Sequence, residues 1–255
     1  MRASRASSPA RVLQRGLIVS CQADDSSVLN RPEIISAMAQ AAQRQGAVGV
    51  RINGVRNIKA ARRKVSIPII GLEKLRLAGS AVYITPTFES VRRVQRAGAD
   101  IIALDATSRR RPGSQYLEEI IREAKGRFGA VIMADVATLD EASRAAELGA
   151  DLVATTLYGY TSSTRSRKEP AFDLVRDASC HLSIPVVLEG HVRKPEEVSK
   201  AFDCGAYAVV VGKAITDIEW LVGRFAAAVP KRGKAREPAR DTQACLYRSQ
   251  ELKQE

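Results

Sequence analysis

The chain reads as an α/β protein of the (β/α)8, or TIM-barrel, class. Three observations predict it. Eight short apolar runs recur along the sequence, most ending on a polar residue, and helical periodicity fills most of the gaps between them. Three predicted helices close with the same punctuation, RAGAD, ELGAD and DCGAY, in which glycine caps the helix and the next strand starts at once. The length of 255 residues matches the roughly 250 that one such barrel needs.

The elements follow in order. Residues 1–15 form a short basic extension, and Gly16–Gln22 reads as the first strand. Pro32 opens the first helix, because a first-turn residue has no need of an N–H donor. That helix runs through IISAMAQAAQRQ to a glycine cap at Gly46. The second strand is 47–52, its helix about 55–64, and the third strand 67–73. A longer excursion containing VYITPT precedes the helix FESVRRVQRAG. The fourth strand, 101–104, leads to a basic loop, SRRRPGS, and a helix to Gly126. The fifth strand, 130–134, precedes TLDEASRAAELG, where Thr138 and Glu141 have capping-box spacing. The sixth strand, 151–155, is followed by the polar loop YGYTSSTRSRKEP. The seventh, 185–188, precedes RKPEEVSKAFDCG, with Pro195 near the helix start. The eighth, 207–211, precedes a last helix at 217–228, with Thr216 and Glu219 again at capping-box spacing. Pro230 ends the fold, so residues 16–229 are expected to form the barrel and 230–255 a basic tail, both extensions being flexible.

Composition narrows the function. An apolar fraction of 45% suffices for a buried core. No apolar run approaches the roughly 18–20 residues that span a bilayer, and the first fifteen residues carry no secretory signal. Of the net charge of +12, +4 lies on residues 1–15 and +3 on 230–255, leaving +5 on the barrel. A charge concentrated on tails argues against nucleic acid as a partner of the folded body. The four cysteines, Cys21, Cys180, Cys204 and Cys245, are scattered, and the two histidines, His181 and His191, are too few for a metal cluster. That usage suits a reducing cytoplasm and calls for no metal.

In this fold the active site is built at the C-terminal ends of the strands. Lys74 directly follows an apolar strand. At the mouth, desolvation and a neighbouring Arg51 would both lower its pKa and suit it to act as a base or form a Schiff base. The alternative is a surface lysine opening a loop. Glu189 ends the run IPVVLEG, where a carboxylate is either functional or half of an internal ion pair. Close together, Lys74 and Glu189 would titrate as one pair, with Glu189 opposing the effect of Arg51 on the lysine. Asp105 and Asp135 end strands four and five, either lining the site or holding loops. Gln22 and Arg51 suit recognition of amide, hydroxyl or developing oxyanion groups. Gly190, and Gly212 with Lys213, stand after strands seven and eight, where barrels frequently bind phosphate.

The ordered segments GLIVSCQ, GAVGVRINGV, IPIIGLEK, ITPT, GADIIALDAT, MADVAT, TTLYGYT, LEG and VVVGKAIT resemble the N-acetylmannosamine-6-phosphate 2-epimerase family over about residues 16–228. The resemblance implies a (β/α)8 isomerase that interconverts N-acylmannosamine and N-acylglucosamine 6-phosphates by cofactor-independent proton transfer at C2, in sialic-acid catabolism. It implies Lys74 and Glu189 as acid/base residues and Gln22, Arg51 and Asp135 as substrate-lining residues. It also implies a homodimer. The chain departs from the family pattern at Leu75-Arg76-Leu77, at His191, at Lys213 and at Asp217. On these grounds Lys74 is expected to take the C2 proton. Arg51, with Gln22, is expected to steady the C1 oxyanion, and Glu189 to orient Lys74 or protonate the opposite face. The competing readings are another phosphosugar barrel, such as an isomerase or aldolase, and a non-catalytic sugar-phosphate-binding protein.

Overall fold

The computed structural model describes residues 8–230. Eight parallel strands close into a barrel in sequence order: β1 (Leu17–Cys21), β2 (Gly49–Asn53), β3 (Ile69–Leu72), β4 (Ile101–Asp105), β5 (Val131–Asp135), β6 (Leu152–Ala154), β7 (Val186–Glu189) and β8 (Ala208–Val211). The pairing of Leu17 with Val209 and Val19 with Val211 shuts the cylinder. After a first short helix, α1 (Pro9–Val12), the helices are α2 (Pro32–Arg44), α3 (Val55–Arg62), α4 (Phe88–Arg96), α5 (Leu117–Phe128), α6 (Leu139–Glu147), α7 (Phe172–His181), α8 (Pro195–Asp203), α9 (Lys213–Thr216) and α10 (Ile218–Ala227). Among the described residues no helix is long and apolar enough to cross a membrane.

Side chains alternate across a strand, so each strand feeds two separate layers. Val19, Cys21, Val50, Ile52, Ile102, Leu104, Ile132, Leu188 and Val209 pack outward with helix residues such as Ile35, Ala39, Ile58 and Val91. Ile18, Ile70, Leu72, Ile101, Ala103, Met133, Leu152, Val187 and Val210 form the inner cluster. Gly71 belongs to the outward set. A Cβ there would stand 2.6 Å from Ala99 Cβ and 2.9 Å from Val94 Cγ1, so glycine lets β3 approach its helix layer.

Several local expectations are revised. Residues 8–15, taken from the sequence as part of a flexible extension, fold against the barrel. Leu13 is fully buried in the inner cluster, Arg15 N donates to Tyr207 O at 2.7 Å, and Tyr207 Oη donates to Ala10 O at 3.2 Å. Helix α7 was not assigned from sequence, although Val175 and Ala178 are buried at helical spacing. Thr138 accepts from Glu141 N at 3.3 Å, but Glu141 turns its carboxylate to Ala137 N and Ser108 N, leaving the capping box half made. Thr216, expected to open the last helix, stands at the end of a short one, α9. Its hydroxyl donates to Ser20 O at 2.8 Å, tying α9 to β1. Compactness divides the chain into two units, Met1–Ile218 and Glu219–Glu255. In the second unit Arg224 lies over the Trp220 ring at 5.0 Å, and Val222 and Phe225 are exposed. Residues 1–7 of the expected N-terminal extension, and the expected C-terminal tail beyond Pro230 with Cys245, lie outside the described residues.

Leu13→Ala should cost about 2–5 kcal/mol in urea unfolding, the range for emptying a packed core site. Gly126→Ala should act oppositely. Its Cβ meets nothing within 4 Å in the interior of α5, so a gain of about 0.5–1 kcal/mol is expected.

Candidate active site

The polar residues at the barrel mouth are the continuation of the inner layer. Arg51 shares the inward parity of Gly49, Asp135 that of Met133, Asp105 that of Ala103, and Glu189 that of Val187. Each is the place where an apolar column ends and solvent begins.

Arg51 is the hub. It is 1% exposed, and its guanidinium grips Asp135 in a two-pronged pair, Nη1 to Oδ1 at 3.1 Å and Nη2 to Oδ2 at 2.6 Å. The same Nη1 lies 3.1 Å from Glu189 Oε2, an ion pair without hydrogen-bond alignment. Burial alone would lower the guanidinium pKa, but Asp135 and then Glu189 outweigh it and hold Arg51 charged. Thr156 Oγ1 donates to Asp135 Oδ1 at 2.7 Å, completing the shell of a carboxylate with no solvent access. Burial pushes the Asp135 carboxyl upward, and the Arg51 fork opposes it.

Glu189 is fixed from behind. Its backbone N–H donates to Thr155 Oγ1 at 3.0 Å, and that hydroxyl donates to Glu189 O at 2.8 Å. Its side chain is 12% exposed, so it reaches the mouth. Burial first, and Asp135 second among the upward effects, push its carboxyl to about 7 against the pull of Arg51, Thr156 and Lys74. Lys74 keeps solvent access as a residue, while its ammonium is crowded by protein. Burial and then Arg51 lower its pKa; Glu189, Asp24 and Asp135 pull the other way and lose. Lys74 N donates to Asn53 Oδ1 at 2.9 Å, and Lys74 bridges antiparallel to Ile84.

The remaining predicted residues divide. Gln22 Nε2 donates to Ser20 Oγ at 2.9 Å, leaving Oε1 buried and without a partner among the described residues. Asp105 pairs in register with Asp135, but its carboxylate serves its own loop: Oδ1 accepts from Thr107 N and Oγ1 at 3.0 and 2.7 Å, and Oδ2 from Arg109 Nη2 at 2.6 Å. It therefore holds Arg109 at the mouth instead of opening to a ligand. Gly190 has φ +107, a conformation open to glycine, and Gly212 precedes α9, with Lys213 exposed beside it. His191 follows in a left-handed conformation, φ +60, and stacks on Tyr160 at 5.2 Å. Sequence reasoning missed the roles of Thr155 and Thr156. The parity of β6 was the available signal for Thr156, since it continues the inward positions Leu152 and Ala154.

Residues 35–231 match the family described as "Putative N-acetylmannosamine-6-phosphate epimerase". A Thermosynechococcus vestitus protein described as a putative N-acetylmannosamine-6-phosphate 2-epimerase is 47% identical over 217 residues, 85% of this chain and 94% of its own. A Caldanaerobacter subterraneus protein of the same description is 43% identical over 221 residues, 86% of this chain and 93% of its own. Among solved structures, the N-acetylmannosamine-6-phosphate 2-epimerase from Clostridium perfringens superposes with a TM-score of 0.85 at 36% identity, over 90% of this chain and all of that one. A Pyrococcus furiosus thiamine phosphate pyrophosphorylase, at 17% identity and TM-score 0.54, shares the fold alone. The chain belongs to the N-acetylmannosamine-6-phosphate epimerase family.

Proposed function

We propose that this chain is a cofactor-independent isomerase that interconverts N-acylmannosamine 6-phosphate and N-acylglucosamine 6-phosphate. The observation that carries the reading is the pairing of a lysine lowered in pKa with a carboxyl raised to about 7, both at the mouth and joined electrostatically through Arg51. Perturbed acid and base groups of this kind are what proton transfer at neutral pH requires.

With the sugar in its open aldehyde form, the neutral Lys74 amine takes the proton from C2. The C–H electrons form the C1–C2 double bond of a 2-acylamino enolate, and the negative charge passes to the C1 oxygen. Glu189, as the carboxylic acid, returns a proton to C2 from the opposite face, and the charge on oxygen collapses back to the aldehyde. The reverse direction uses the same groups in swapped states. Arg51 and Asp135 act beneath the sugar by positioning Glu189, a change from the oxyanion role expected of Arg51, because the guanidinium is already committed to carboxylates. Gln22 faces the amide and hydroxyl groups. Gly190, Gly212 and Lys213 are the phosphate-side residues, whose binding energy holds C2 in place. The enzyme works in the cytoplasm as a homodimer; the exposed Val222, Phe225 and Val229 of the second unit are apolar surface of the kind an interface covers.

Proton NMR of N-acetylmannosamine 6-phosphate in D2O should show conversion together with deuterium entering C2; conversion without exchange, or no conversion, rejects the reading. Lys74→Met should abolish turnover with an unchanged unfolding midpoint. The dependence of kcat/KM on pH should be a bell. The active pair carries one proton, so a second proton silences Lys74 on the acid side and loss of the last silences Glu189 on the basic side. The lowered lysine and raised glutamate set the maximum above about 7 and below 10.5. Arg51→Met should cost about 3–5 kcal/mol in urea unfolding at neutral pH, since it strands the fully buried Asp135 carboxylate and leaves Glu189 without its cation.

A further inference from the structure

Proton removal from C2 creates an oxyanion on C1, and the groups described so far turn most of their donors elsewhere, Arg51 Nε being buried without a partner among the described residues. Arg51 is turned to Asp135 and Glu189, Gln22 Nε2 to Ser20, and Arg109 to Asp105 and Thr107. Donors aimed at developing charge are usually the largest single catalytic contribution, so the shortage calls for another group.

The segment Tyr83–Thr85 supplies one. It pairs antiparallel with Glu73–Leu75: Leu75 N donates to Tyr83 O at 2.8 Å, Thr85 N to Glu73 O at 2.8 Å, and Lys74 and Ile84 form the bridge between them. Tyr83 is thus held one residue from the partner of the proposed base. Thr85 is fully buried with φ +43, a left-handed conformation that a β-branched residue rarely adopts. It is kept there by its hydroxyl, which donates to Ala103 O at 2.6 Å and accepts from Glu73 N at 3.2 Å. Strain of this sort marks a segment whose position matters. The Tyr83 ring packs against the inner cluster and carries Arg76 over its face at 5.2 Å. Its half-buried phenol is within electrostatic reach of Asp135, Asp105, Arg109 and Arg51, at the ends of three strands and the loop after β4. No hydrogen bond engages its hydroxyl among the described residues.

We propose that Tyr83 is a catalytic hydrogen-bond donor: its hydroxyl, carried on the segment that the strained Thr85 bend pairs with Glu73–Leu75, donates to the C1 oxygen as negative charge develops there. The proposal rests on the C2 proton-transfer reading. Burial first, then Asp135 and Asp105, push the phenol pKa upward, which keeps it a donor instead of a phenolate.

Tyr83→Phe separates this role from packing, because it keeps the ring and the Arg76 stack and removes one oxygen. Turnover of N-acetylmannosamine 6-phosphate should fall about 100-fold in kcat with KM nearly unchanged, the usual scale for one lost oxyanion donor. The C2-deuterium isotope effect on kcat should rise, since proton abstraction becomes more fully rate-limiting. The urea unfolding curve, which reports on folding of the variant, should match that of the parent. A kcat within twofold of the parent, or a loss confined to KM, overturns the proposal and leaves the epimerase reading standing. A parent enzyme that neither converts the sugar nor exchanges C2 hydrogen overturns both.

Discussion

A buried guanidinium sets the terms for everything around it. Arg51 cannot stay charged without solvent unless carboxylates face it, and two do. They are not equivalent. Asp135 takes both prongs and a threonine hydroxyl, while Glu189 receives a single misaligned contact and keeps a route to solvent. The Arg51–Asp135 pair is therefore neutral by itself, and ionising Glu189 adds an uncompensated charge to a low-dielectric site unless Lys74 is protonated. Burial pushes both carboxyls upward, and Glu189 reaches about 7 in spite of an arginine 3.1 Å away. On that balance of charge the cluster tolerates one proton shared between Lys74 and Glu189 better than two or none.

The barrel delivers this cluster by counting. A strand buries alternate residues inward, and the last inward position before solvent is the one that can be polar at tolerable cost. Arg51, Lys74, Asp105, Asp135, Thr156 and Glu189 all fall on the inward parity of their strands or just past its end. The ladder registers then set their heights: Asp105 is level with Asp135, and Glu189 with Val210. The hydroxyl of Thr155, on the outward parity, reaches the backbone of Glu189 and ties β7 to β6 at that residue.

The same counting explains what the sequence made legible. Eight apolar runs with polar ends are enough to name the fold and nearly the whole ring of mouth residues. Partnerships are another matter, because they depend on which loop folds back over which strand. Nothing local distinguishes Asp105 from Asp135, yet one is claimed by Thr107 and Arg109 of its own loop and the other by an arginine three strands away. Leu13 looked like part of a charged extension because it is flanked by arginines, and only the open bottom of the cylinder makes it core. Thr216 had the spacing of a helix cap, but its hydroxyl found the carbonyl of Ser20, a contact that exists only once β8 has closed on β1.

One question the residues alone left open was whether Arg51 or Glu189 governs Lys74. Electrostatics favours desolvation and the arginine: the lysine goes down, while the same environment sends the glutamate up. That convergence has a chemical meaning. A reversible epimerisation between two sugars of the same composition needs an amine and an acid ready in one direction, and an ammonium and a carboxylate ready in the other. Groups with ordinary pKa values would rest almost wholly in the charged pair and serve one direction from their stable state. Bringing the two values together narrows the gap between the tautomers. Both are neutral overall beside the Arg51–Asp135 pair, so the buried site penalises neither.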